Sequence, residues 1–176
     1  LSKTSLDQVS NINKIISRQL KRAQSAAGSS WHLGMKITPV AESLIGALEK
    51  VYCEPQINIS SDIDDKAIFR GDDVDLTELL GNLLDNACKA ATSAVLLTVM
   101  YSDKVLTISV EDDGVGVTEV EKNMIFERGT RADSYEQGHG IGLAIVRDLL
   151  ESYGGVLTIE RSAVLGGADF SIIFES

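Results

Sequence analysis

The spacing of apolar positions predicts a long helix in the first part of the chain. Over residues 3–27, apolar side chains recur every three or four positions among Lys, Arg, Gln and Asn. The stripe comprises Leu6, Val9, Ile12, Ile16 and Leu20. This helix either packs on its own domain or forms half of a coiled coil or helical bundle. The second is favoured because the small residues 26–30 then form a hinge. We therefore expect a boundary between residues 1–30 and 31–176.

After this boundary the pattern alternates between helical and extended segments. Helices are predicted from Pro39 to about residue 53, over residues 72–92 and over residues 140–153, with one helical turn near 118–125. Strands are predicted near 56–61 and 66–70 and at 94–102, 105–113, 156–162 and 168–176. Because most of these strands can pair with a neighbour along the chain, the order favours an α/β fold. We expect a two-layer α/β sandwich, in which helices cover one face of a mixed sheet.

The composition excludes several classes of partner. Sixteen basic and 26 acidic residues give a net charge of −10, which argues against binding nucleic acid or an anionic membrane surface.

Cys53 and Cys88 form no C-x-x-C motif, so a zinc site is not expected and a reducing compartment is the simpler interpretation. No apolar run approaches the ~18 residues of a membrane span. The chain begins with Leu1, so we expect it to be part of a longer protein.

The predicted helix over residues 75–91 carries a polar stripe with unusual chemistry. Its members fall within an arc of roughly 100°, opposite a face rich in leucine. They are Glu78, Asn82, Asp85, Asn86 and Lys89. Such a stripe can be only a solvated face, but asparagine is a poor helix former and its presence here calls for a reason. Amide oxygens can hold Mg²⁺ without repelling phosphates, and an ammonium group can meet a phosphate oxygen.

Two glycine segments suggest contact with a ligand. Asp112, Gly114 and Gly116 follow a predicted strand as D-x-G-x-G. Glycine at both positions allows a tight turn with positive φ, and the carboxylate could accept a hydrogen bond from an exocyclic amine such as that of adenine. The alternative is an ordinary acidic turn. Farther along the chain, residues 138–142 form G-x-G-x-G at the start of an amphipathic helix, where backbone N–H groups favour an anion.

The second glycine segment does not fit the common nucleotide-binding motifs. The dinucleotide fingerprint is G-x-G-x-x-G directly after a buried strand, whereas the polar segment "RGTRADSYEQ" precedes these glycines. The Walker motif G-x-x-x-x-G-K-[ST] is absent from the sequence. A different class of phosphate site is therefore indicated.

Four segments in fixed order resemble the ATP-binding catalytic domain of bacterial sensor histidine kinases, within the gyrase-like ATPase superfamily. "GNLLDNACKA" resembles the N box, "DDGVG" the G1 box, "IFERG" the F box and "GHGIGL" the G2 box. "LGGADFSIIF" resembles the last glycine element. The resemblance covers about residues 31–176. It implies a Bergerat-type ATP-binding fold, ATP and Mg²⁺ as cofactors, and protein-histidine kinase activity.

The resemblance implies roles for the residues of the N and G1 boxes. Asn86, together with Asn82, would bind the Mg²⁺ that bridges the phosphates, and Lys89 would contact phosphate. The carboxylate of Asp112 would accept the adenine amino group. The two glycines of the G1 box, Gly114 and Gly116, would shape the adenine pocket.

The resemblance also implies roles for residues around the lid, residues 127–139. Phe126 would anchor the lid, and Arg131 would neutralise the γ-phosphate, with Arg128 as a weaker candidate. The helix start would face the phosphates through Gly138, Gly140, Ile141, Gly142 and Leu143. His139 either touches metal or phosphate or points to solvent. Glu136 departs from the family pattern, which has a basic residue there. Glu78 is a candidate base or water-orienting group.

Phosphoryl transfer in this family requires an acceptor that this chain lacks. The acceptor His lies in an "H-[DE]-x-[KR]-T-P"-like box, and neither His32 nor His139 has that context. Residues 3–27 instead resemble the second helix of the dimerisation hairpin. We expect the module to serve a phosphoacceptor His domain of the same parent or its dimer mate, and then a response regulator. It would be the cytoplasmic domain of an inner-membrane sensor.

Two other functions stay open from the sequence. A gyrase-type or chaperone-type ATPase clamp would have related glycine segments, but usually one catalytic Glu before a single Asn rather than the paired Asn82 and Asn86. A degenerate nucleotide-binding module with only regulatory contacts is the other alternative. The intact Asn, Asp and Gly positions argue against it, and Glu136 argues weakly for it.

Overall fold

The structure is a computed structural model that describes residues 34–127 and 140–175. Of these, residues 35–127 and 140–175 belong to one compact unit. The helix and hinge predicted over residues 1–30 lie outside the described residues, so the domain boundary stays a prediction. None of the helices in residues 34–127 and 140–175 is long and apolar enough to cross a membrane.

Seven strands and four helices follow one another in the described ranges. The first half of the unit contains β1 (Met35–Lys36), α1 (Thr38–Val51), β2 (Asn58–Ile63), β3 (Ile68–Phe69) and α2 (Asp73–Ala90). The second half contains β4 (Ala94–Ser102), β5 (Val105–Asp112), α3 (Glu119–Glu127), α4 (Gly140–Tyr153), β6 (Gly155–Arg161) and β7 (Ala168–Glu175).

Five of the strands form one mixed sheet in the order β2–β4–β5–β7–β6. Strands β2 and β4 pair in parallel, and the other neighbours pair antiparallel. The hairpins β4–β5 and β6–β7 agree with the predicted pairs. Strands β1 and β3 form a separate two-stranded antiparallel sheet, a pairing that the sequence did not indicate.

The core lies between one face of the sheet and the helices. Alternate residues of the central strands are buried, as expected when one sheet face is covered and the other is not. In β4 and β5 they are Val95, Leu97, Val99, Leu106, Ile108 and Val110. The apolar face of α2 packs on them through Leu76, Leu79, Leu80, Leu83 and Leu84. Because each fully buried leucine contributes about 1.5–3 kcal/mol, this layer fixes how α2 faces the sheet. The predicted two-layer sandwich is confirmed.

Both ends of α2 are held by carboxylates. At the N-terminus, Asp72 Oδ1 accepts hydrogen bonds from Val74 N at 2.8 Å and Asp75 N at 3.2 Å, which caps the helix. After the C-terminus, Asp113 Oδ1 accepts from Thr92 N at 2.8 Å, and its Oδ2 accepts from the Ser93 hydroxyl at 2.6 Å. Desolvation alone would raise the pKa of Asp113, but these hydrogen bonds outweigh it and hold that pKa well below its usual range.

Helices α2 and α4 are linked at the end distant from the glycine segment. The hydroxyl of Tyr153, at the C-terminus of α4, donates to Asp75 Oδ2 at 2.6 Å in the first turn of α2. The Tyr153 ring packs on Phe69 of β3 with a centroid separation of 5.1 Å. Burial and the hydrogen bond to Asp75 both raise the pKa of Tyr153, so this hydroxyl stays protonated and continues to donate.

Helix α3 is longer than the single turn that the sequence predicts. It spans nine residues, Glu119–Glu127. A capping box begins it: Thr118 N donates to Glu121 Oε2 at 2.8 Å, and Glu121 N donates to Thr118 Oγ1 at 3.3 Å. The T-x-x-E sequence of this box was the local signal for a full helix.

Candidate functional site

The two segments predicted to bind phosphate and metal meet where α4 begins. Asn82 of α2 donates through Nδ2 to the carbonyl of Glu78 at 2.6 Å, which fixes the direction of its amide. A Cβ atom placed on Gly142 would lie 3.0 Å from Asn82 Oδ1. At the third glycine of G-x-G-x-G, the two helices are therefore so close that even a methyl group would displace the Asn82 amide slightly. The structure thus places the start of the glycine helix beside the N-box helix.

Asn86 lies one turn after Asn82 on the same stripe of α2 and is half-buried. No residue in the described part of the chain forms a hydrogen bond with its amide. Its oxygen is therefore available to a ligand, whereas Asn82 is already oriented by a backbone contact. Glu78, one turn before Asn82, is also half-buried.

Lys89 is engaged in an ion pair that the sequence analysis did not anticipate. Its Nζ lies 2.6 Å from Asp85 Oδ2, at i,i+4 spacing on α2. The hydroxyl of Tyr52, which follows α1, donates to Asp85 Oδ1 at 2.6 Å. Burial and this contact with Asp85 raise the pKa of Tyr52. Both carboxylate oxygens of Asp85 thus have a partner. To contact phosphate as predicted, Lys89 would have to break its ion pair with Asp85 or contact both groups at once.

Asp112 ends β5 as the most deeply buried carboxylate of the site. Its side chain is 1% exposed. The Oδ1 atom accepts hydrogen bonds from Gly114 N at 2.8 Å and Ala168 N at 3.3 Å. Within residues 34–127 and 140–175, the Oδ2 atom is buried without any hydrogen-bond partner. A buried acceptor left unsatisfied costs about 1–3 kcal/mol, so this oxygen is suited to a donor supplied by a ligand.

The glycines beside Asp112 act in different ways. Gly116 has a φ of 83°, as predicted for a tight turn. The prediction of positive φ at Gly114 is wrong, because Gly114 is not among the glycines with positive φ. Its need for glycine is steric: a Cβ there would lie 2.2 Å from the carbonyl oxygen of Ala90, at the end of α2. Gly114 therefore allows the Asp112 turn to pack against the end of the N-box helix.

Sequence reasoning missed two residues that hold Asp112. Gly167 N donates to the backbone oxygen of Asp112 at 3.0 Å, and Ala168 N donates to its carboxylate. A Cβ on Gly167 would lie 2.3 Å from Asp112 Oδ1, so only glycine fits. The available signal was the "LGGA" segment, which was matched to a glycine element but assigned no residue.

A further missed residue, Arg147 of α4, holds the end of α3. Its guanidinium donates to the carbonyls of Ile125 and Phe126, in the last turn of α3. Carbonyls at a helix C-terminus lack partners within the helix, and a cation there is favoured by the helix dipole. Phe126, the predicted lid anchor, is 46% exposed at this point.

The remaining predicted residues divide into two groups. Gly140 and Ile141 form the first turn of α4 with Gly142, and the side chain of Leu143 is buried in the core. Only the backbone of Leu143 can therefore face a ligand. Arg128, Arg131, Gly138 and His139 lie outside the described residues, as does Glu136.

Comparisons with known proteins agree with this geometry. Residues 71–176 match the family described as histidine kinase-, DNA gyrase B-, and HSP90-like ATPase. The virulence sensor histidine kinase PhoQ of Salmonella typhimurium is 41% identical over 172 residues, which cover 96% of this chain and 35% of that protein. The match confirms a resemblance to PhoQ-type kinases carried by "LDNACK", "VEDDG" and "LGGA". The chain thus spans about a third of the length of the curated relatives it matches.

Solved structures give the same result for the fold. The ATP binding domain of PrrB from Mycobacterium tuberculosis is 25% identical with a TM-score of 0.66, covering 82% of this chain and 96% of that chain. Full-length ShkA, solved in complex with AMPPNP, is 28% identical with a TM-score of 0.67, covering 80% of this chain and 30% of that chain. With the family match and the arrangement of α2, α4 and Asp112, these similarities show that the chain belongs to the histidine kinase-, DNA gyrase B- and HSP90-like ATPase family.

Proposed function

We propose that this chain is the ATP- and Mg²⁺-binding catalytic part of a sensor histidine kinase. The observation that carries the proposal is the buried, unpartnered Oδ2 atom of Asp112 within the described residues. Its companion Oδ1 is fixed by two backbone N–H groups, so the free oxygen has a defined direction. The identity of 41% to a named sensor histidine kinase supports the same conclusion.

Base recognition follows from the chemistry of this oxygen. A carboxylate oxygen only accepts hydrogen bonds, so it selects a base that presents an amino group, as adenine does. Guanine presents a carbonyl oxygen at the corresponding ring position, which would place two acceptors against each other. A site that leaves a buried polar group unpaired discriminates strongly against the wrong ligand.

The residues of α2 fit a magnesium ion held together with phosphates. Mg²⁺ prefers hard oxygen ligands and retains several waters, so one or two amide oxygens are sufficient protein ligands. Asn86 offers an amide that no described residue occupies, and Asn82 offers Oδ1 beside Gly142. When bound, the ion would neutralise charge on the triphosphate. Neutral amides achieve this without adding a negative charge beside the phosphates.

The protein's contribution to transfer is placement and charge neutralisation more than covalent chemistry. Lys89 would exchange Asp85 for a phosphate oxygen, and the backbone N–H groups of the first turn of α4 would face the phosphates. Arg131 is the proposed γ-phosphate ligand, with Arg128 and His139 as further candidates. Glu78 is the proposed base or water-orienting residue.

The proposed acceptor and partners lie outside this chain. The γ-phosphoryl group would pass to a His on the dimerisation hairpin of the parent or its dimer mate, and then to a response regulator. By similarity to PhoQ, the parent would be a membrane sensor and this chain its cytoplasmic part.

Calorimetric titration with AMPPNP, with and without Mg²⁺, tests the proposal. We expect saturable binding by the wild type, loss of binding in Asp112→Asn, whose amide nitrogen can face the adenine amine, and loss of the Mg²⁺ dependence in Asn86→Ala. Asp169→Asn is the matched control, because Asp169 is a carboxylate on the neighbouring strand bonded to Ser109 and Ser171. No binding by the wild type would refute the proposal. A separate His-bearing hairpin then tests phosphoryl transfer.

A further inference from the structure

The turn between β6 and β7, residues 162–167, leads into two backbone hydrogen bonds that hold Asp112. Its last residue, Gly167, donates to the backbone oxygen of Asp112 at 3.0 Å. The next residue, Ala168, donates to Asp112 Oδ1 at 3.3 Å. The direction of the free Oδ2 atom therefore depends on the position of this turn as well as on the hydrogen bond from Gly114 N.

Ser162, which is only 3% exposed, forms several hydrogen bonds within the turn. Its hydroxyl oxygen accepts from Leu165 N at 2.8 Å, and its backbone N–H donates to the oxygen of Gly167 at 2.8 Å. Its backbone oxygen accepts from Gly166 N at 3.1 Å. One serine thus determines the path of the turn as far as the residue that contacts Asp112.

Glu111 fixes Ser162 from the β5 side. The Ser162 hydroxyl donates to Glu111 Oε2 at 2.6 Å, and Glu111 is only 8% exposed. Glu111 and Asp112 are consecutive in β5, so their side chains leave the strand on opposite faces. The same turn is therefore held by two neighbouring residues, one from each face of the sheet.

We propose that Ser162 and Glu111 are positioning residues for the recognition of the adenine amino group by Asp112. The inference rests on the proposed function. The hydrogen bonds of both side chains go to each other and to Leu165 N, so both residues act on Asp112 through the backbone of the turn. Without the Ser162 hydroxyl, Leu165 N loses its acceptor and Glu111 keeps a buried carboxylate without this donor. The turn then relaxes, and the hydrogen bond from the adenine amine to Asp112 Oδ2 weakens because such bonds depend steeply on distance and angle.

The test compares binding of ATP and inosine triphosphate, each with Mg²⁺, by calorimetry. Inosine triphosphate carries a carbonyl oxygen where ATP has its amino group, so the ratio of the two dissociation constants reports the contact with Asp112. In Ser162→Ala we expect ATP to bind roughly threefold to tenfold more weakly and inosine triphosphate to bind as in the wild type. Damage to the whole domain would weaken both equally.

Three further variants make the test specific. Glu111→Gln retains an amide oxygen that can accept from Ser162, so the wild-type ratio is expected. Glu111→Ala removes the acceptor and should lower the ratio as Ser162→Ala does, which provides a second route if one variant folds poorly. Ser109→Ala is the matched control, because it removes a serine–carboxylate bond of 2.7 Å on the same sheet that involves no residue of the turn 162–167.

The outcomes separate the two proposals. A wild type without preference for ATP refutes the proposed function, and this inference with it. A wild type that prefers ATP, combined with an unchanged ratio in Ser162→Ala and Glu111→Ala, refutes only the positioning role. Equal weakening of both nucleotides in these variants, or a lowered ratio in Ser109→Ala, also overturns the positioning role.

Discussion

Replacing Gly142 by alanine should separate stability from ligand binding. The new Cβ would lie 3.0 Å from Asn82 Oδ1, so the amide must move by roughly a few tenths of an ångström. Alanine favours a helix over glycine by about 0.5–1 kcal/mol, which offsets the cost of that small shift. We therefore expect the free energy of unfolding to stay within about 1 kcal/mol of the wild type. The displaced oxygen is a proposed Mg²⁺ ligand, and Mg²⁺ demands near-ideal geometry.

If the contact between Asn82 Oδ1 and Mg²⁺ became less favourable by about 1.4 kcal/mol, Mg²⁺-dependent nucleotide binding would weaken tenfold. The assay is calorimetric titration with AMPPNP at several Mg²⁺ concentrations, together with chemical denaturation. Gly46→Ala is the matched control, because Gly46 is also helical and nothing lies within 4 Å of the position its Cβ would take. It should stabilise the fold by about 0.5–1 kcal/mol and leave binding unchanged. Wild-type Mg²⁺ dependence in Gly142→Ala would refute the assignment of Asn82 to the metal.

Three other changes test the surrounding contacts. Arg147→Gln removes the cation from the end of α3, so amide exchange in that helix should accelerate. Arg161→Gln removes an exposed arginine of β6 and should not change this exchange. Equal exchange rates in the two variants would contradict the role of Arg147 at the end of α3. Asp113 has a lowered pKa in the folded protein, so its stabilising effect is present above its unfolded pKa of about 3.9 and is lost as the pH falls through the folded value. Acid titration of unfolding should therefore be less steep in Asp113→Asn than in the wild type. Asp85→Asn should release Lys89 and strengthen ATP binding by up to about fivefold at low salt, an advantage that should fade as salt is added.

The parts of the fold that could be predicted are those encoded by local patterns. In β4 and β5, the alternation of apolar and polar residues shows which face of the strand is buried, and the leucine face of α2 does the same for the helix. The ion pair between Asp85 and Lys89 was visible as an i,i+4 spacing, although the sequence alone assigned Lys89 only to phosphate. Strands β1 and β3 have two residues each, too few for any period, so their pairing was missed.

Candidate site residues could be selected from the sequence where one segment carries the chemistry, but not the contacts where distant segments meet. The stripe on α2 and the carboxylate of Asp112 could be selected as candidates because their residue types are informative alone. The contact between Ser162 and Glu111 joins residues 51 positions apart, and no local pattern encodes it. The reason for glycine at 114 was likewise misjudged, because the carbonyl of Ala90 that excludes a side chain lies far away in sequence.

The position of β7 in the sheet has a consequence for when the contacts around Asp112 can form during synthesis. β7 follows β6 in sequence, yet it lies between β5 and β6 in the sheet. Gly167 and Ala168, which hold Asp112 together with Gly114, lie just before this strand and at its start. A ribosome that has released the chain only through β6 has therefore made the N box and Asp112, but not the backbone donors Gly167 and Ala168. The proposed nucleotide site would then be complete only after β7 has emerged and paired with β5.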